Sequence, residues 1–452
     1  MEPTPGTAGA DPSLVAPHMF ALMLRNISTA GFVQADHNAS APAPAPGGFS
    51  APGCTLASPS WAVGNNSYPG NVAPIAEDYA FNWTRDAAIT VSTVLKQAPA
   101  LLPTQAANQI VANYANFAAA CQNGGGGLGQ AKYTPEGGAT GAPDESDGPA
   151  LRILTLLQGF ANLSDTVKGT AAQVIINDLG YLLGDDRYQG GTVTLWEDTV
   201  GQSIFARAVQ LGCLNQLTSV GPRFGIPVPA AVTAAVSYLT TQLQDNHWDS
   251  TNNRYISVLG ASRLRGDPPV AYDPAIDPIL ACLYGDGIDC TDPRLLATAA
   301  QVRAQWTEGG SAYPINGADA KIGVGPLLGR YNGDEYDGFS LNSATGHPWA
   351  VCTCGLAQLY YTLAGRIAAS APVPSDPLAS AFLGQVHVTS TDPPATVAAA
   401  LRTAGDSMLN AVIYHSDCFE LSEQFDQATG YELSVCNLTW SYAAFLNAVG
   451  AR

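Results

Sequence analysis

The chain has 452 residues, 46% hydrophobic and only 12% charged, so it can bury a large core and is neither a disordered acidic segment nor a fibrous one. Lysine and arginine total 19 against 37 aspartates and glutamates, a formal charge of −18. Such a surface repels phosphate backbones and anionic membranes, which excludes nucleic acid and membrane as expected partners and leaves room for a neutral one such as a carbohydrate.

Ala/Leu/Val-rich stretches of helical length recur in order at 12–27, 86–98, 103–121, 148–163, 168–185, 199–213, 228–245, 274–284, 293–307, 347–367, 394–412 and 437–449. In 103–121 the apolar residues Ile110, Val111, Tyr114, Phe117 and Ala118 keep helix spacing, and in 394–412 Val397, Leu401, Met408, Leu409 and Val412 do the same. Asp147-Gly148-Pro149 and Asp292-Pro293 read as N-caps followed by an early helical proline. Gly/Pro/Asn/Asp/Ser-rich loops separate the helices, with a short strand expected around Tyr255-Ile256-Ser257-Val258. The run from Ala41 to Pro46 reads as an exposed extended loop. Gly124 to Gly127 lacks the Gly-Lys-Ser/Thr ending of a phosphate cradle and reads as a loop. About twelve helices with little strand signal predict an all-α fold, and an even number suits stacked helical hairpins. No linker divides the chain into self-contained halves, so residues 1–452 are expected to form one domain.

Nine cysteines are too dilute for a disulfide scaffold, and an odd count leaves at least one thiol unpaired in a monomer. Cys282 and Cys290 bracket a Gly/Asp-rich loop that suits a local bridge in an oxidising compartment. Cys352-Thr353-Cys354 lacks the second cluster a zinc site needs. Sequons at Asn26, Asn38, Asn65, Asn162 and Asn437 suit secretion in a eukaryote; the expected location is extracellular or periplasmic, although Met1-Glu2-Pro3-Thr4-Pro5 opens no signal peptide. No apolar stretch is long enough to span a membrane.

Four clusters of acids, arginines and aromatics each precede a helical segment. Asn82-Trp83-Thr84-Arg85-Asp86 offers an indole face for a sugar ring and charged groups for its hydroxyls; a helix-start ion pair is the competing reading. Leu195-Trp196-Glu197-Asp198 places a carboxyl beside an indole, where desolvation favours the protonated form; a capped helix start is the alternative. Ser422-Glu423-Gln424-Phe425-Asp426 is a second acidic signature, otherwise readable as a solvated loop. Gly329-Arg330-Tyr331 with Asp334, Tyr336 and His347-Pro348-Trp349 is the fourth, with a buried structural network as its plain reading. In a ring of helical hairpins the loops at one end converge on a common mouth, and loop residues on a rigid scaffold are where catalysis tends to sit. Two carboxyl groups facing one sugar are what glycosidic cleavage usually requires.

Taken in order, Ala57-Ser58-Pro59-Ser60, Trp83-Thr84-Arg85-Asp86, Asp147-Gly148-Pro149-Ala150-Leu151-Arg152, Leu195-Trp196-Glu197, Ser422-Glu423-Gln424 and Leu438-Thr439-Trp440-Ser441-Tyr442-Ala443-Ala444 resemble the glucoamylases of glycoside hydrolase family 15. The resemblance implies an (α/α)6 barrel, a six-hairpin toroid, and exo-acting, inverting hydrolysis of α-glucosidic bonds from non-reducing ends of α-glucans or malto-oligosaccharides. It implies Glu197 as general acid and Glu423 as general base, with the terminal glucose held by Arg85 and Asp86 and a further sugar contact from Arg330. Tyr79, Trp83, Trp196, Asp198 and Trp349 fall on pocket or adjoining positions. It also implies a Cys282–Cys290 disulfide, a free Cys352, and no cofactor or catalytic metal, with the Asp334 to Asp337 loop left as a possible calcium site. A monomer is favoured.

An inverting enzyme keeps its carboxyls roughly 6.5–9.5 Å apart so that water fits beneath the anomeric carbon, with the acid protonated and the base ionised. The chain departs from the family where Thr140-Gly141-Ala142-Pro143-Asp144-Glu145-Ser146 carries neither the usual Trp nor the usual Arg, and at Asp198 and Val200. Those departures leave open a specificity shifted toward α-1,6 links, short chains or other small α-glucosides; a carbohydrate-binding protein without turnover is the alternative from another class. The segment after the last helix holds no Ser/Thr-rich linker or starch-binding domain, so strong adsorption to granular starch is not expected.

Overall fold

The computed structural model describes residues 10–29, 50–60, 79–264, 272–338 and 346–452. Among them run fourteen α-helices: α1 Pro12–Leu24, α2 Thr84–Leu101, α3 Thr104–Asn123, α4 Asp147–Gly159, α5 Asp165–Leu183, α6 Ile204–Val220, α7 Ala231–Thr241, α8 Asp277–Tyr284, α9 Pro293–Thr307, α10 Pro314–Ile322, α11 Ala350–Ala368, α12 Ser380–Gly384, α13 Pro394–His415 and α14 Thr439–Ala451. Nine short strands sit in the loops between them: β1 Asn82–Trp83, β2 Lys132–Tyr133, β3 Thr192–Val193, β4 Thr199–Ser203, β5 Trp248–Asp249, β6 Arg254–Tyr255, β7 Val258–Arg263, β8 Gln424–Phe425 and β9 Glu432–Leu433. They pair antiparallel as β1-β2, β3-β4-β7, β5-β6 and β8-β9.

The contacts close a ring. Helix α14 packs on α2, α2 on α4, α4 on α6, α6 on α8, α8 on α11, and α11 back on α14. Outside it, α1, α3, α5, α7, α9 and α13 each back an inner neighbour, which makes an (α/α)6 barrel. The inner helices touch protein on nearly every side and bury polar as well as apolar side chains. All of Thr439 to Ala448 in α14 is buried, and so is all of Ile204 to Leu214 in α6. An outer helix such as α5 buries one stripe, Ala171, Val174, Ile175, Asp178, Leu179 and Leu182.

All twelve predicted helices are present, with differences that have local causes. Residues 199–203 are strand rather than helix, because Thr199, Gly201 and Ser203 alternate inward while the strand pairs with β7 on one side and, through Gly201, with Thr192 of β3 on the other. Helix α6 starts only after them, with the Ser203 hydroxyl capping Ala206 N–H. Asp147 is the first helical residue and caps nothing; its carboxylate is drawn to Arg85, whereas Asp292 caps α9 as expected. Helix α10, hidden in the breaker-rich Pro-Ile-Asn-Gly-Ala-Asp, ends at Gly323 in the left-handed region; α12 is one short turn. Both lie outside the ring. The Ala41–Pro46 stretch, Asn38 and Asn65 lie outside the described residues.

The sequons divide. Asn162 is exposed, but Asn26 is buried with its amide donating to Asn437 O (2.8 Å) and Thr439 Oγ1 (2.7 Å), and the Asn437 amide donates to Glu420. Neither buried amide can carry a glycan in this fold. The Cys282–Cys290 bridge is not formed: all nine cysteines are free thiols, and burial first, then the neighbouring Cys290, holds the Cys282 thiol protonated. Cys352 is free and buried. No helix among the described residues is long and apolar enough to cross a membrane.

Where α13 crosses α11, a Cβ on Gly405 would fall 2.7 Å from the Tyr361 ring, which is pinned by its hydroxyl donating to Asp406 at 2.6 Å. Alanine gains roughly 1 kcal/mol in helix propensity but overpacking costs about 1–3 kcal/mol. Gly405→Ala should therefore lower the denaturant midpoint; a raised midpoint would show that the crossing is not close-packed.

Candidate active site

The N-termini of the inner helices meet at one end of the ring. Arg85 and Asp86 open α2, Asp147 opens α4, Leu195 to Asp198 lead into β4 and α6, Asp277 opens α8, Trp349 directly precedes α11, and Trp440 lies in the first turn of α14. Their side chains touch: Arg85 reaches Asp147 and stacks over Trp440, while Trp196 meets Asp277, Trp349 and Trp440. Together they shape one small pocket.

Eight of the ten predicted site residues line it: Tyr79, Trp83, Arg85, Asp86, Trp196, Glu197, Trp349 and Glu423. Glu197 closes a turn onto Thr194 O and holds φ +58°, a left-handed conformation costly for a side-chain-bearing residue and frequent at functional sites. Its Oε1 accepts the Trp83 indole N–H at 2.5 Å and lies 3.7 Å from Arg85 Nη2. Glu423 is buried; Tyr79 Oη donates to its Oε1 at 3.0 Å and Ser434 Oγ to its Oε2 at 2.5 Å. Its backbone is tied to Val435 and Ala350, and Ser434 is itself left-handed at φ +67°. The donors to the two carboxyls are stacked on one another: the Tyr79 and Trp83 rings lie 5.1 Å apart at 29°.

Arg85 is the cation of the pocket, and it faces more acid than one charge can match. Glu145 Oε2 lies at 2.5 Å, Asp147 Oδ2 at 3.3 Å, Asp86 at 3.7 Å and Glu197 at 3.7 Å. Burial outweighs the Arg85 attraction and pushes Asp86 up to about 6, and Glu145 well above the ordinary carboxylate range. Burial thus favours the neutral forms of Asp86 and Glu145.

Asp198 and Arg330 do not line the pocket; they stand behind its wall. Arg330 is buried, clamped by Asp334 through two hydrogen bonds (2.9 and 2.6 Å), and packed against the faces of Trp196 and Trp349 at 5.4 and 4.9 Å. Asp198 accepts from the Tyr331 hydroxyl and lies 3.8 Å from Arg330. Asp334 is fully buried and spent on Arg330 and Tyr336 N–H, so the Asp334 to Asp337 loop does not offer it to calcium. Among the described residues no group of three His, Cys, Asp or Glu side chains is arranged to hold a metal.

Four contributors were not singled out from sequence. Trp440 and Leu438 line the pocket and sit inside a motif that carried the family resemblance. Glu145 lies in the segment noted only for its missing Trp and Arg. Asp277, which holds Trp196 through its indole N–H at 3.0 Å, gave no signal beyond an acid at a helix start.

The model of the glycosyl hydrolases family 15 matches residues 37–450. The chain belongs to that family. Glucoamylase 1 of Rhizopus oryzae is 27% identical over 83% of this chain, which spans 65% of that relative's length. A probable glucoamylase of Schizosaccharomyces pombe is 25% identical over 95% of the chain and 88% of its own length. In structure, the family 15 ring superposes on a glucoamylase from Saccharomycopsis fibuligera with a TM-score of 0.78 at 22% identity, covering 99% of this chain and 96% of that one. A family 15 glucoamylase from Hypocrea jecorina gives 0.77 at 22% identity, over 97% of this chain and 71% of that one.

Burial pushes Asp277 up to about 7 against the Trp196 N–H, and Glu432 up to about 7 against its bonds from Ser422. In the unfolded chain both titrate near about 4. Their stabilising effect is complete below that value and is lost as pH rises through about 7, since only the unfolded chain releases the protons in between. The melting temperature should therefore fall between about pH 4.5 and 7.5. Asp277→Asn, which still accepts the Trp196 N–H, should make the decline shallower; an unchanged slope would remove Asp277 from the account.

Proposed function

We propose that the chain is an exo-acting, inverting α-glucosidase of the glucoamylase type that releases β-D-glucose from non-reducing ends of α-glucans or malto-oligosaccharides. The observation that carries this is the stacked Tyr79–Trp83 pair: through it two carboxyl groups in unlike settings are held on one small pocket. Glu197, partly exposed and backed by an acid-rich cluster, is the general acid that protonates the glycosidic oxygen. Glu423, buried and accepting from two hydroxyls, is the base: those bonds favour its charged form, and it takes a proton from the water attacking the anomeric carbon. Arg85 and Asp86 hold the terminal glucose, with Trp196 and Trp349 as apolar walls. Trp349 Nε1 is buried and finds no hydrogen-bond partner among the described residues. Asp198 and Arg330 position those indoles rather than touching sugar.

The family membership and the glucoamylase names of the relatives support the substrate class, and the tight pocket supports exo action. As proposals with it go one catalytic unit over 1–452, secretion, and action as a monomer without a cofactor. A second reading, shifted linkage or chain-length preference, is favoured by one feature: segment 140–146 delivers Glu145 onto Arg85 in place of the missing Trp and Arg.

Assay of maltose, maltotriose, isomaltose and starch with anomer resolution should give β-glucose first; initial α-glucose would sink the inverting mechanism. Glu197→Gln and Glu423→Gln should each cost about 10²–10⁴-fold in kcat with folding intact. Because burial favours the neutral form of Glu145, Glu145→Gln should retain most of the turnover and Glu145→Ala should lose much more. Equal losses would mean that the Glu145 charge itself is needed.

A further inference from the structure

The segment Ala57-Ser58-Pro59-Ser60 lies outside the residues that line the catalytic pocket, yet its bonds lead to it from two sides. Its backbone runs beside residues 79–81: Phe81 O accepts from Ala57 N–H at 2.9 Å, Tyr79 O from Ser58 N–H at 3.1 Å, and Ser60 O from Tyr79 N–H at 3.1 Å. Its two hydroxyls, both on buried residues, are spent on Cys436. Ser58 Oγ donates to Cys436 O at 2.6 Å; Ser60 Oγ accepts from Cys436 N–H at 3.1 Å and lies 3.1 Å from Cys436 Sγ. Ser58 Oγ also accepts from Ser60 N–H at 2.9 Å, and Pro59 between them locks its φ near about −65°, so the two hydroxyls keep a set spacing. The neighbours joined in this way carry the donors to Glu423. Tyr79 donates to Oε1 and Ser434 to Oε2, while Val435 O, between Ser434 and Cys436, accepts from Glu423 N–H at 3.0 Å. The bonds thus close a circuit from Glu423 through Tyr79, Ser60, Ser58, Cys436 and Ser434 back to Glu423.

We propose that Ser58 and Ser60 are positioning residues for the base, an inference that rests on the reading of Glu423 as the group that activates water. Neither lines the pocket. They set the separation of the two stretches of chain that reach the Glu423 carboxylate from its two oxygens, so both donors converge before a substrate arrives. A carboxylate gripped from both ends is sensitive to that separation, because a hydrogen bond weakens steeply as it lengthens or bends. With the circuit opened, Glu423 is held by weaker donors, its ionised form is less favoured, and its angle to the attacking water is no longer fixed.

The test uses the full chain. Ser58→Ala/Ser60→Ala should lower maltotriose kcat about tenfold or more while KM stays within about twofold. The acid limb of kcat/KM should move to higher pH, since weaker hydrogen bonds then favour ionised Glu423 less. Tyr79, Arg85, Asp86 and Glu197 around the pocket, and Glu432 bonded to the neighbouring Ser422, are unaltered in the variant. A second arm perturbs the same joint after folding. Cys418 and Cys436 are the exposed cysteines, so in Cys418→Ser methyl methanethiosulfonate converts the Cys436 thiol to its methyl disulfide and releases methanesulfinic acid. The added group wedges against Ser60; kcat should fall at least about threefold and return with a thiol reductant. Hydrogen exchange reads the circuit without turnover: the Tyr79 and Cys436 amides should lose protection together in the double alanine variant. Unchanged kcat in the folded variant or in the labelled chain overturns the proposal, as does a fall in kcat that leaves the acid limb in place; where the variant does not fold, the labelled chain decides. Exchange altered at neither amide also overturns it. Coupled loss of protection in a chain whose parent does not hydrolyse maltotriose would leave the circuit standing and remove the glucoamylase reading.

Discussion

Everything at the site depends on six inner helices pointing their N-termini at one mouth. Each such end carries unsatisfied N–H groups and a partial positive charge of about half an electron, and the effect is strongest within the first turn. Asp86, Asp147 and Asp277 all occupy first turns of inner helices. Placed elsewhere in so apolar a core, that many carboxyls would be expelled or need one cation each. Here one guanidinium and three helix ends suffice, and several acids around one aromatic pocket are compatible with a folded ring.

The same constraint explains the division between the wall and what stands behind it. Trp196, Trp349 and Trp440 pack edge and face on one another, and a bare indole cluster would slide. Arg330 sits against Trp196 and Trp349, fixed in turn by Asp334 and Asp198, while Asp277 holds the Trp196 N–H. Two buried polar layers thus set the angles of apolar surfaces, which is how a site is preorganised without spending its own hydroxyl-binding groups on structure.

The helices were legible because an inner or outer barrel helix keeps its periodicity over many turns, and the two that were missed are short or broken by Gly and Asp. The closure of α14 onto α2 was not readable from spacing, since it joins residues more than three hundred positions apart. The acids and aromatics of the pocket were legible as four clusters, and eight of ten line it. That Asp198 and Arg330 stand behind the wall was not legible for a physical reason: a sequence shows that an arginine neighbours aromatics, but not which face of them it occupies. The two strained backbones, at Glu197 and Ser434, left no mark, because neither is glycine. The Cys282–Cys290 bridge followed the family pattern, and loop spacing cannot fix whether two thiols join.

The segment at 140–146 shows where this ring has its own design. Gln130 Oε1 accepts from Thr140 N–H and Gly141 N–H at 3.1 and 2.9 Å, folding the segment's tip back on the β2 loop, and Gly141 meets nothing within 4 Å of where a Cβ would stand. A bulky indole and a guanidinium are absent, and the carboxyl sent inward is that of Glu145, beside the buried Ser146 hydroxyl. It takes hold of Arg85 from behind, so the guanidinium is oriented before any sugar arrives. In the proposed reading the innermost sugar then meets an arginine already fixed in place, and discrimination rests on that ring.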